Sequence, residues 1–307
     1  MSYKKNLLFF IILVFPAIFF RFFTSIYPNI STLYLSLTDT NLMDGTSNFI
    51  GLKNYFRLYY NKNNLIILNF TLLFVFSSLF FQLTFGFLIS LLLNRESKIK
   101  NTLRTFSLLP WALPMIVVAY AFHWMLDDQF GLISIFYSFV DEKPLIFLDP
   151  LYSKITVILI NIWKTMPFVA IVFLAWLQGI QKEVIDAAKV DGASNINIAL
   201  KIILPSLLPI ITILSIFLFV GQIGSFDLIY GLTKGGPGIS TQILAMQIFQ
   251  DGMLFFKFGL AAAESVILLF IVVIFSLLGL KLYSIAEFKT WIWRFIIFLH
   301  YFMYLLF

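Results

Sequence analysis

The stretch NLIILNFTLLFVFSSLFFQLTFGFLISLLLN, residues 64–94, is a run of 31 residues without a charged side chain. The hydrocarbon core of a bilayer is about 30 Å thick, so a helix needs roughly 20 apolar residues to cross it. Lipid offers no hydrogen-bond partners to backbone amides and carbonyls, so only helices and closed barrels span it, and this run lacks the alternation typical of barrel strands. The stretch therefore predicts a membrane-spanning α-helix.

The composition indicates that the rest of the chain also lies in a lipid bilayer. Of the 307 residues, 61% are hydrophobic, 12% are charged and 38 are phenylalanine, which is more apolar surface than a soluble core of this length can bury. The chain has no cysteine, which excludes disulfides and thiolate chemistry. Its two histidines, His123 and His300, argue against a histidine-based metal cluster.

Charge-poor windows long enough to cross a membrane recur along the chain. We identify six of them, near residues 6–28, 65–93, 104–126, 155–180, 203–226 and 259–282. The predicted fold is an all-α integral membrane protein, a bundle of six transmembrane helices. The N-terminal run resembles a signal peptide, but it lacks a small-x-small cleavage site and Arg21 interrupts it. We interpret this run as an uncleaved first span.

A hydrophobic tail, residues 290–307, follows the six windows. Three interpretations of this tail stay open: a seventh, short span, an interfacial helix, or a truncated continuation of the reading frame. The chain is therefore expected to consist of a transmembrane domain, residues 1–289, and a tail of unassigned role.

The distribution of lysine and arginine over the loops predicts the orientation. If the six spans alternate, eleven of these residues fall on one side of the membrane and seven on the other. Because cytoplasmic loops carry the excess of positive charge, both termini and residues 181–204 are expected in the cytoplasm. The net charge of +6 is thus a signal of topology, and we do not interpret it as nucleic-acid binding.

The polar segment QKEVIDAAKVDGASNINIALKIILPSLLP, residues 181–209, lies between two apolar windows. A narrow apolar stripe recurs there at helical spacing: Ile180, Val184, Ala187 and Ala188. Gly192 is expected to stop the helix in the left-handed conformation, and Ser194 can cap the next one. The pattern predicts a short helix, a tight turn and a second helix that enters the membrane. Such an element suits a helix-in-groove contact with a cytoplasmic protein, and an ordinary cytoplasmic loop is the alternative.

The same segment resembles a motif of a known family. Its spacing matches the EAA motif of permease subunits in binding-protein-dependent ABC importers at Asp186, Ala187, Ala188, Gly192, Ile202, Leu204 and Pro205. Further matches are FIGLKNY at 49–55, LNFTLLF at 68–74, RTFSLLP at 104–110, NIWK at 161–164 and GSFDLIYGLTKGGPGIST at 224–241. The last stretch resembles the GGP loop of the carbohydrate-uptake branch, the permeases for maltose, other oligosaccharides and glycerol phosphate.

The resemblance covers residues 6–289 and departs from the family pattern at two positions. Asp186 stands where the family usually has glutamate, and Ala199 stands where many relatives have an aromatic residue. The acidic character of the first position is kept with a shorter side chain.

The resemblance implies that residues 181–205 couple this chain to a dimer of cytoplasmic ATP-binding subunits. The implied contacts are Glu183, Asp186, Ala187, Ala188, Asp191, Gly192, Ala193, Ile202, Leu204 and Pro205. The chain contains no glycine-rich phosphate loop ending in GK[ST]. ATP and Mg²⁺ are therefore expected on the partner subunit, and this chain is expected to be no enzyme and to hold no cofactor or metal.

The resemblance also implies further partners and a location. An extracytoplasmic solute-binding protein is expected to face Lys234, Gly235, Gly236 and Pro237, and a second, homologous permease subunit is expected beside this chain. The implied location is a bacterial-type cytoplasmic (inner) membrane, crossed several times, with the N-terminus in the cytoplasm.

Polar residues inside the windows are candidates for a solute path, because buried polar groups in lipid usually face the bundle interior. Several are present: Gln82, Asn161, Lys164, Gln222, Asp227 and Glu264. We assign Asn161, Gln222 and Ser225 as candidate contacts of a sugar or sugar-like solute. The expected function is import of that solute by an ABC transporter. The alternatives are a secondary transporter or channel, which would need more intramembrane carboxylates, and a membrane-embedded enzyme, which would need a clustered reactive site.

Overall fold

A computed structural model describes the backbone of residues 13–95, 98–138 and 147–306, and the side chains of these residues other than 136–138 and 285–306. In chain order the helices are α1 (Leu13–Leu35), α2 (Lys53–Tyr60), α3 (Lys62–Leu93), α4 (Lys100–Ser107), α5 (Leu109–Ala112), α6 (Met115–Met125), α7 (Leu132–Ser138), α8 (Pro150–Leu177), α9 (Lys182–Val190), α10 (Asn195–Ile223), α11 (Phe226–Leu232), α12 (Leu244–Phe249) and α13 (Phe258–Leu306). Short π-helical turns lie within α1 and α10 and directly after α12, at Phe22–Ile26, Ala199–Ile203 and Gln250–Leu254.

Five helices of the described chain are long and apolar enough to cross a membrane: α1, α3, α8, α10 and the part Phe258–Ser284 of α13. They coincide with five of the six predicted windows, and the predicted helical bundle is confirmed. The first span ends at Leu35 rather than at residue 28, because its polar side chains are satisfied inside the helix. Thr32 Oγ1, for example, donates to the carbonyl of Pro28 at 2.9 Å. Residues 6–12 of that window lie outside the described residues.

The remaining window, residues 104–126, is a broken helix. The limb Lys100–Ala112, which contains α4 and α5, meets α6 at an angle of 85°. Leu113 between them has an extended backbone, with φ −72° and ψ 141°, and Pro114 follows it. Proline disfavours the helical conformation for the residue before it and lacks a backbone N–H. The described chain has six spans if this bent pair is one of them, and the window is then a broken span and not one continuous helix.

The last helix, α13, is continuous from Phe258 to Leu306. Residue 289, the predicted end of the transmembrane domain, therefore lies inside a helix. Among the residues with described side chains, Phe258–Ser284 is the part of α13 that could span a membrane. The three interpretations of residues 290–307 all stay open.

The chain divides into two compact units. One contains the described residues up to Leu65 together with Leu244–Phe270, and Asn54 is buried within it. The side-chain Nδ2 of Asn54 donates to the carbonyls of Ser36, Thr38 and Gly259 at 3.0, 2.7 and 3.2 Å. The backbones approach so closely that a Cβ at position 259 would overlap the carbonyl oxygen of Thr38. The stretch FIGLKNY, which contains Asn54, is thus tied to the start of α13.

The other unit contains Ile66–Ile243 and the chain from Ile271, and its core forms where α8 packs on α10. The buried apolar side chains of this core are Val169, Phe173, Leu177, Leu207, Leu214 and Leu218. α3 approaches α8 closely at Gly86, where a Cβ would lie 2.6 Å from Cγ1 of Val169. α6 approaches α11 at Gly231, where a Cβ would lie 2.7 Å from Cβ of Ala119. Small residues at such contacts allow the close packing that holds helices together in lipid.

Candidate functional site

The segment that follows α8 folds as the sequence predicts, into a short helix, a turn and a second helix. Gly192 ends α9 with a φ of +79°, in the left-handed region that favours glycine. The amide of Ala193 donates to the carbonyl of Ala188, and the amide of Gly192 to that of Lys189, both at 3.0 Å. These two bonds form a Schellman motif, which satisfies the last carbonyls of α9. Ser194 then caps α10, because its Oγ accepts from the amide of Asn197 at 3.3 Å.

The predicted apolar stripe of α9 is turned largely toward the rest of the chain. Ile180, Val184 and Ala188 are half-buried, whereas Ala187 is exposed. Two apolar side chains that the sequence did not single out are far more accessible, since Val190 is 88% exposed and Ile196 is 70% exposed. These two side chains lie on either side of the turn at Gly192.

The charged residues of this segment lie at its surface. Glu183, Asp186 and Asp191 are all exposed. Asp186 pairs with Lys189 at 3.5 Å, and both side chains are more than half exposed. An exposed pair of this kind contributes about 0 to 1 kcal/mol to stability, so the fold of the segment depends little on it.

The second half of the segment leads into the membrane span α10. Ile202 lies in the π-helical turn Ala199–Ile203, and Leu204 and Pro205 begin the regular helix that follows; all three residues are half-buried. Trp176, near the end of α8, donates from Nε1 to the carbonyl of Ser206 at 3.0 Å. The two helices on either side of the segment are therefore joined directly, a contact that the sequence did not predict.

The GGP loop, residues 233–241, has a backbone that only glycine adopts easily at two positions. Gly235 and Gly238 have φ values of +88° and +60°, and Lys234 also has a positive φ of 53°. The hydroxyl of Thr241 donates to the carbonyl of Gly236 at 2.8 Å and lies 2.7 Å from the hydroxyl of Thr233. These bonds fix the shape of the loop.

The predicted partner-facing residues of this loop differ in exposure. Lys234 is exposed, Gly236 and Pro237 are half-buried, and Gly235 is buried. A Cβ at position 235 would lie 3.3 Å from Cβ of Gln242, so this glycine serves the packing of the loop. Of the four residues, Lys234 is the one that presents its side chain to solvent.

Two of the three predicted solute contacts come together inside the second unit. Asn161 is 1% exposed and Gln222 is 4% exposed, and Gln82 lies between them with no exposed surface. Gln82 Nε2 donates to the backbone carbonyl of Asn161 at 3.1 Å, and Gln222 Nε2 donates to Gln82 Oε1 at 2.6 Å. We call these three residues the amide cluster. Ser225 lies outside it, half-buried, and donates to the carbonyl of Gly221 at 3.3 Å.

The other polar residues named from the sequence have different surroundings. Lys164, which is 8% exposed, donates from Nζ to the carbonyl of Trp111 at 3.2 Å. The indole of Trp111 stacks on the ring of Phe168, with centroids 5.0 Å apart and planes 15° apart. Asp227 is exposed in the first turn of α11, and Glu264 is fully buried in α13. Lys164 thus contacts the broken helix through the carbonyl of Trp111.

A family model described as the binding-protein-dependent transport system inner membrane component matches residues 82–288. The chain belongs to this family. The matched region contains the helix–turn–helix segment, the GGP loop and all three residues of the amide cluster. These importer components are transport permease subunits, and nothing in the comparisons favours a secondary transporter, a channel or a membrane-embedded enzyme.

Several permeases of other organisms are similar to this one. The trehalose/maltose transport system permease protein of Thermococcus litoralis is 30% identical over 260 residues, which cover 83% of this chain and 87% of the relative. The sulfoquinovosyl glycerol transport system permease protein of Agrobacterium fabrum is 32% identical over 267 residues, which cover 84% of each chain.

A solved structure has the same fold as this permease. It is a chain in the crystal structure of a bacterial alginate ABC transporter in complex with alginate pentasaccharide-bound periplasmic protein. The TM-score is 0.76 at 21% identity, and the match covers 90% of this chain and 93% of that chain. The predicted ABC importer permease fold is confirmed.

The sequence missed part of what positions the candidate site in this permease. Gln82 stands out as a polar residue in an apolar run, but its role as the bridge between Asn161 and Gln222 depends on three helices meeting. Trp176 carries no signal in the sequence, because most tryptophans of membrane proteins are packing or interfacial residues.

Proposed function

We propose that this chain is the permease subunit of an ABC transporter that imports a sugar or sugar-like solute across the cytoplasmic membrane. The observation that carries the proposal is the similarity, over more than four-fifths of the chain, to permeases named for trehalose, maltose and sulfoquinovosyl glycerol. These solutes share a hydroxyl-rich ring. The amide cluster supports the same class, since carboxamides both donate to and accept from hydroxyl groups.

ATP hydrolysis takes place on a separate dimer of ATP-binding subunits, and residues 181–205 dock on that dimer. The exposed side chains Val190 and Ile196 flank the rigid turn at Gly192, and they form the apolar part of the contact. The hydrogen bond from Trp176 to Ser206 joins α8 to α10, so a displacement of the segment moves both spans together. Nucleotide binding then favours the outward-open arrangement because the ATP-bound dimer binds that arrangement more tightly.

The remaining partners occupy other faces of the chain. A solute-binding protein docks on the extracytoplasmic side, where the GGP loop presents Lys234, and a second permease subunit completes the pathway. The N-terminus lies in the cytoplasm, in agreement with the bias of lysine and arginine among the loops. The permease itself uses no cofactor, because ATP and Mg²⁺ bind to the partner dimer.

The test of this function is transport by the complete assembly. We expect proteoliposomes that contain this chain with its partner permease and ATP-binding dimer to take up radiolabelled trehalose or maltose. Uptake should require ATP and the solute-binding protein. Uptake that proceeds equally well without ATP, driven by an ion gradient, would contradict the proposal.

The orientation can be tested on its own because the chain has no cysteine. A single cysteine at Asn195, an exposed residue at the start of α10, gives a unique site for a membrane-impermeant maleimide. We expect no labelling in intact cells and full labelling after the membrane is opened. A cysteine at exposed Lys234 is the matched control, and it should label from outside.

A further inference from the structure

The hydrogen bonds of the amide cluster fix the orientation of its two glutamine carboxamides. A backbone carbonyl can only accept a hydrogen bond, so the carbonyl of Asn161 requires the NH₂ group of Gln82 to face it. The Oε1 of Gln82 is then turned toward Gln222. Because that oxygen can only accept, Gln222 must present its own NH₂ group, at 2.6 Å. The order of donors and acceptors is thus fixed from the backbone of α8 outward through α3 to α10.

This order of hydrogen bonds leaves one acceptor and one donor of the amide cluster unused. Within the described part of the chain, Gln222 Oε1 and Asn161 Nδ2 are buried and have no hydrogen-bond partner. The first is an acceptor and the second is a donor. A hydroxyl group both donates and accepts, so solute hydroxyls can match both members of the pair, whereas a carboxylate matches only the donor and an ammonium group only the acceptor.

We propose that Gln82 is a positioning residue that sets the direction of the Gln222 carboxamide, so that the cluster offers one acceptor and one donor to solute hydroxyls. This proposal rests on the proposed function, since Asn161 and Gln222 are the solute contacts in it. Gln82 itself does not touch solute, because both ends of its carboxamide are engaged by the protein. Without Gln82 the Gln222 carboxamide can rotate and offer its NH₂ group where the hydroxyl requires an acceptor.

Two near-isosteric variants distinguish positioning from simple packing. Gln82→Met keeps the volume and removes both hydrogen bonds, whereas Gln82→Glu can keep both, since a buried carboxyl group is neutral and its O–H can donate to the Asn161 carbonyl while its other oxygen accepts from Gln222. We expect Gln82→Met to raise the KM for ATP-driven uptake of radiolabelled trehalose or maltose by about three- to ten-fold, the range for loss of one neutral hydrogen bond, and Gln82→Glu to keep the KM near that of the wild type. The maximal rate should change little. If Gln82 only filled space, both variants would transport like the wild type.

A double-mutant cycle tests whether Gln82 acts through Gln222. In a Gln222→Met background, Gln82→Met should raise the KM no further, because the carboxamide that it orients is gone. Ser78→Ala is the control, since Ser78 is also fully buried in α3, one turn before Gln82, and its hydroxyl has no partner within the described residues. This variant should leave KM unchanged. Additive effects of the two glutamine substitutions would overturn the proposal, as would an unchanged KM in Gln222→Met alone.

A second measurement tests the coupling of Gln82 to Gln222 without any transported solute. If the wild-type assembly transports neither sugar, the proposed solute class fails, and the same cycle is read from the thermal midpoint of the assembled complex. Non-additive shifts of this midpoint for Gln82→Met and Gln222→Met then support the coupling of the two glutamines, and additive shifts overturn it.

Discussion

Lys164 donates a hydrogen bond to the backbone carbonyl of Trp111 across 3.2 Å, from α8 to the limb that ends at the 85° bend. In a straight helix this carbonyl would accept from the amide four residues later, at Met115, which lies beyond the break. The freed carbonyl would be costly in an apolar interior without another donor. A lysine inside a membrane span is therefore explained by the broken helix that it contacts.

We expect Lys164→Met to loosen the bend, because the Trp111 carbonyl loses its donor, while Lys164→Arg preserves it. Leaving such a carbonyl without a partner costs about 1 to 3 kcal/mol. Spin labels on cysteines introduced at exposed positions in α4 and α6 of this cysteine-free chain report the inter-limb distance. The Met variant should broaden the distance distribution, and a distribution equal to that of wild type would show that Lys164 does not hold the bend. Lys154→Met, in the first turns of the same helix, is the control.

We expect substitutions at Gly192 to follow backbone preference rather than side-chain volume. A Cβ at this position meets no atom within 4 Å, so the effect of a side chain comes from the φ of +79°. The left-handed conformation costs about 1 to 2 kcal/mol for an ordinary residue, and asparagine tolerates it better. Gly192→Val should therefore lose co-purification of the ATP-binding dimer, while Gly192→Asn keeps most of it. Equal recovery with both variants would show that the turn does not control docking.

We expect Thr241→Val to weaken the response to the solute-binding protein. The substitution removes the hydrogen bonds of the Thr241 hydroxyl to Gly236 and Thr233, which fix the GGP loop. Loss of these bonds should lower binding-protein-stimulated ATP hydrolysis several-fold and leave basal hydrolysis unchanged. The neighbouring Ser240→Ala is a matched control, because the buried Ser240 hydroxyl has no partner within the described residues. A stimulated rate at the wild-type level in Thr241→Val would contradict this role of the loop.

We expect Gly86→Ala to destabilise the contact of α3 with α8 and a second substitution to restore it in part. The added Cβ would lie 2.6 Å from Cγ1 of Val169, and overpacking of this kind costs about 1 to 3 kcal/mol. Val169→Ala removes Cγ1 but leaves Cβ of residue 169 at 2.9 Å from the added Cβ, so the double variant should recover only part of the lost thermal stability in detergent. If the double variant were no more stable than Gly86→Ala alone, the destabilisation would not come from the contact of residues 86 and 169.

By itself, the sequence determined that the chain lies in a bilayer, which parts of it form the five long apolar helices, and the local form of the segment after α8. These properties depend on features that lie close together in the chain: uncharged runs of membrane-spanning length, a proline or glycine at a turn, and serine before a helix. The left-handed Gly192 and the Ser194 cap could be predicted because each acts on its own backbone. The bend at Leu113 has a similar local cause in Pro114, although the whole window reads as apolar.

Only the tertiary structure decided which polar residues meet. Gln82, Asn161 and Gln222 are far apart in the sequence and lie on three helices, so their hydrogen bonds follow from helix packing, to which sequence periodicity gives no register. The same reason explains why Lys164 contacts Trp111 and why Trp176 contacts Ser206. Apolar side chains can be buried against lipid or against protein at similar free energy. The packing of one span against another therefore determines which side chains of an apolar run face inward.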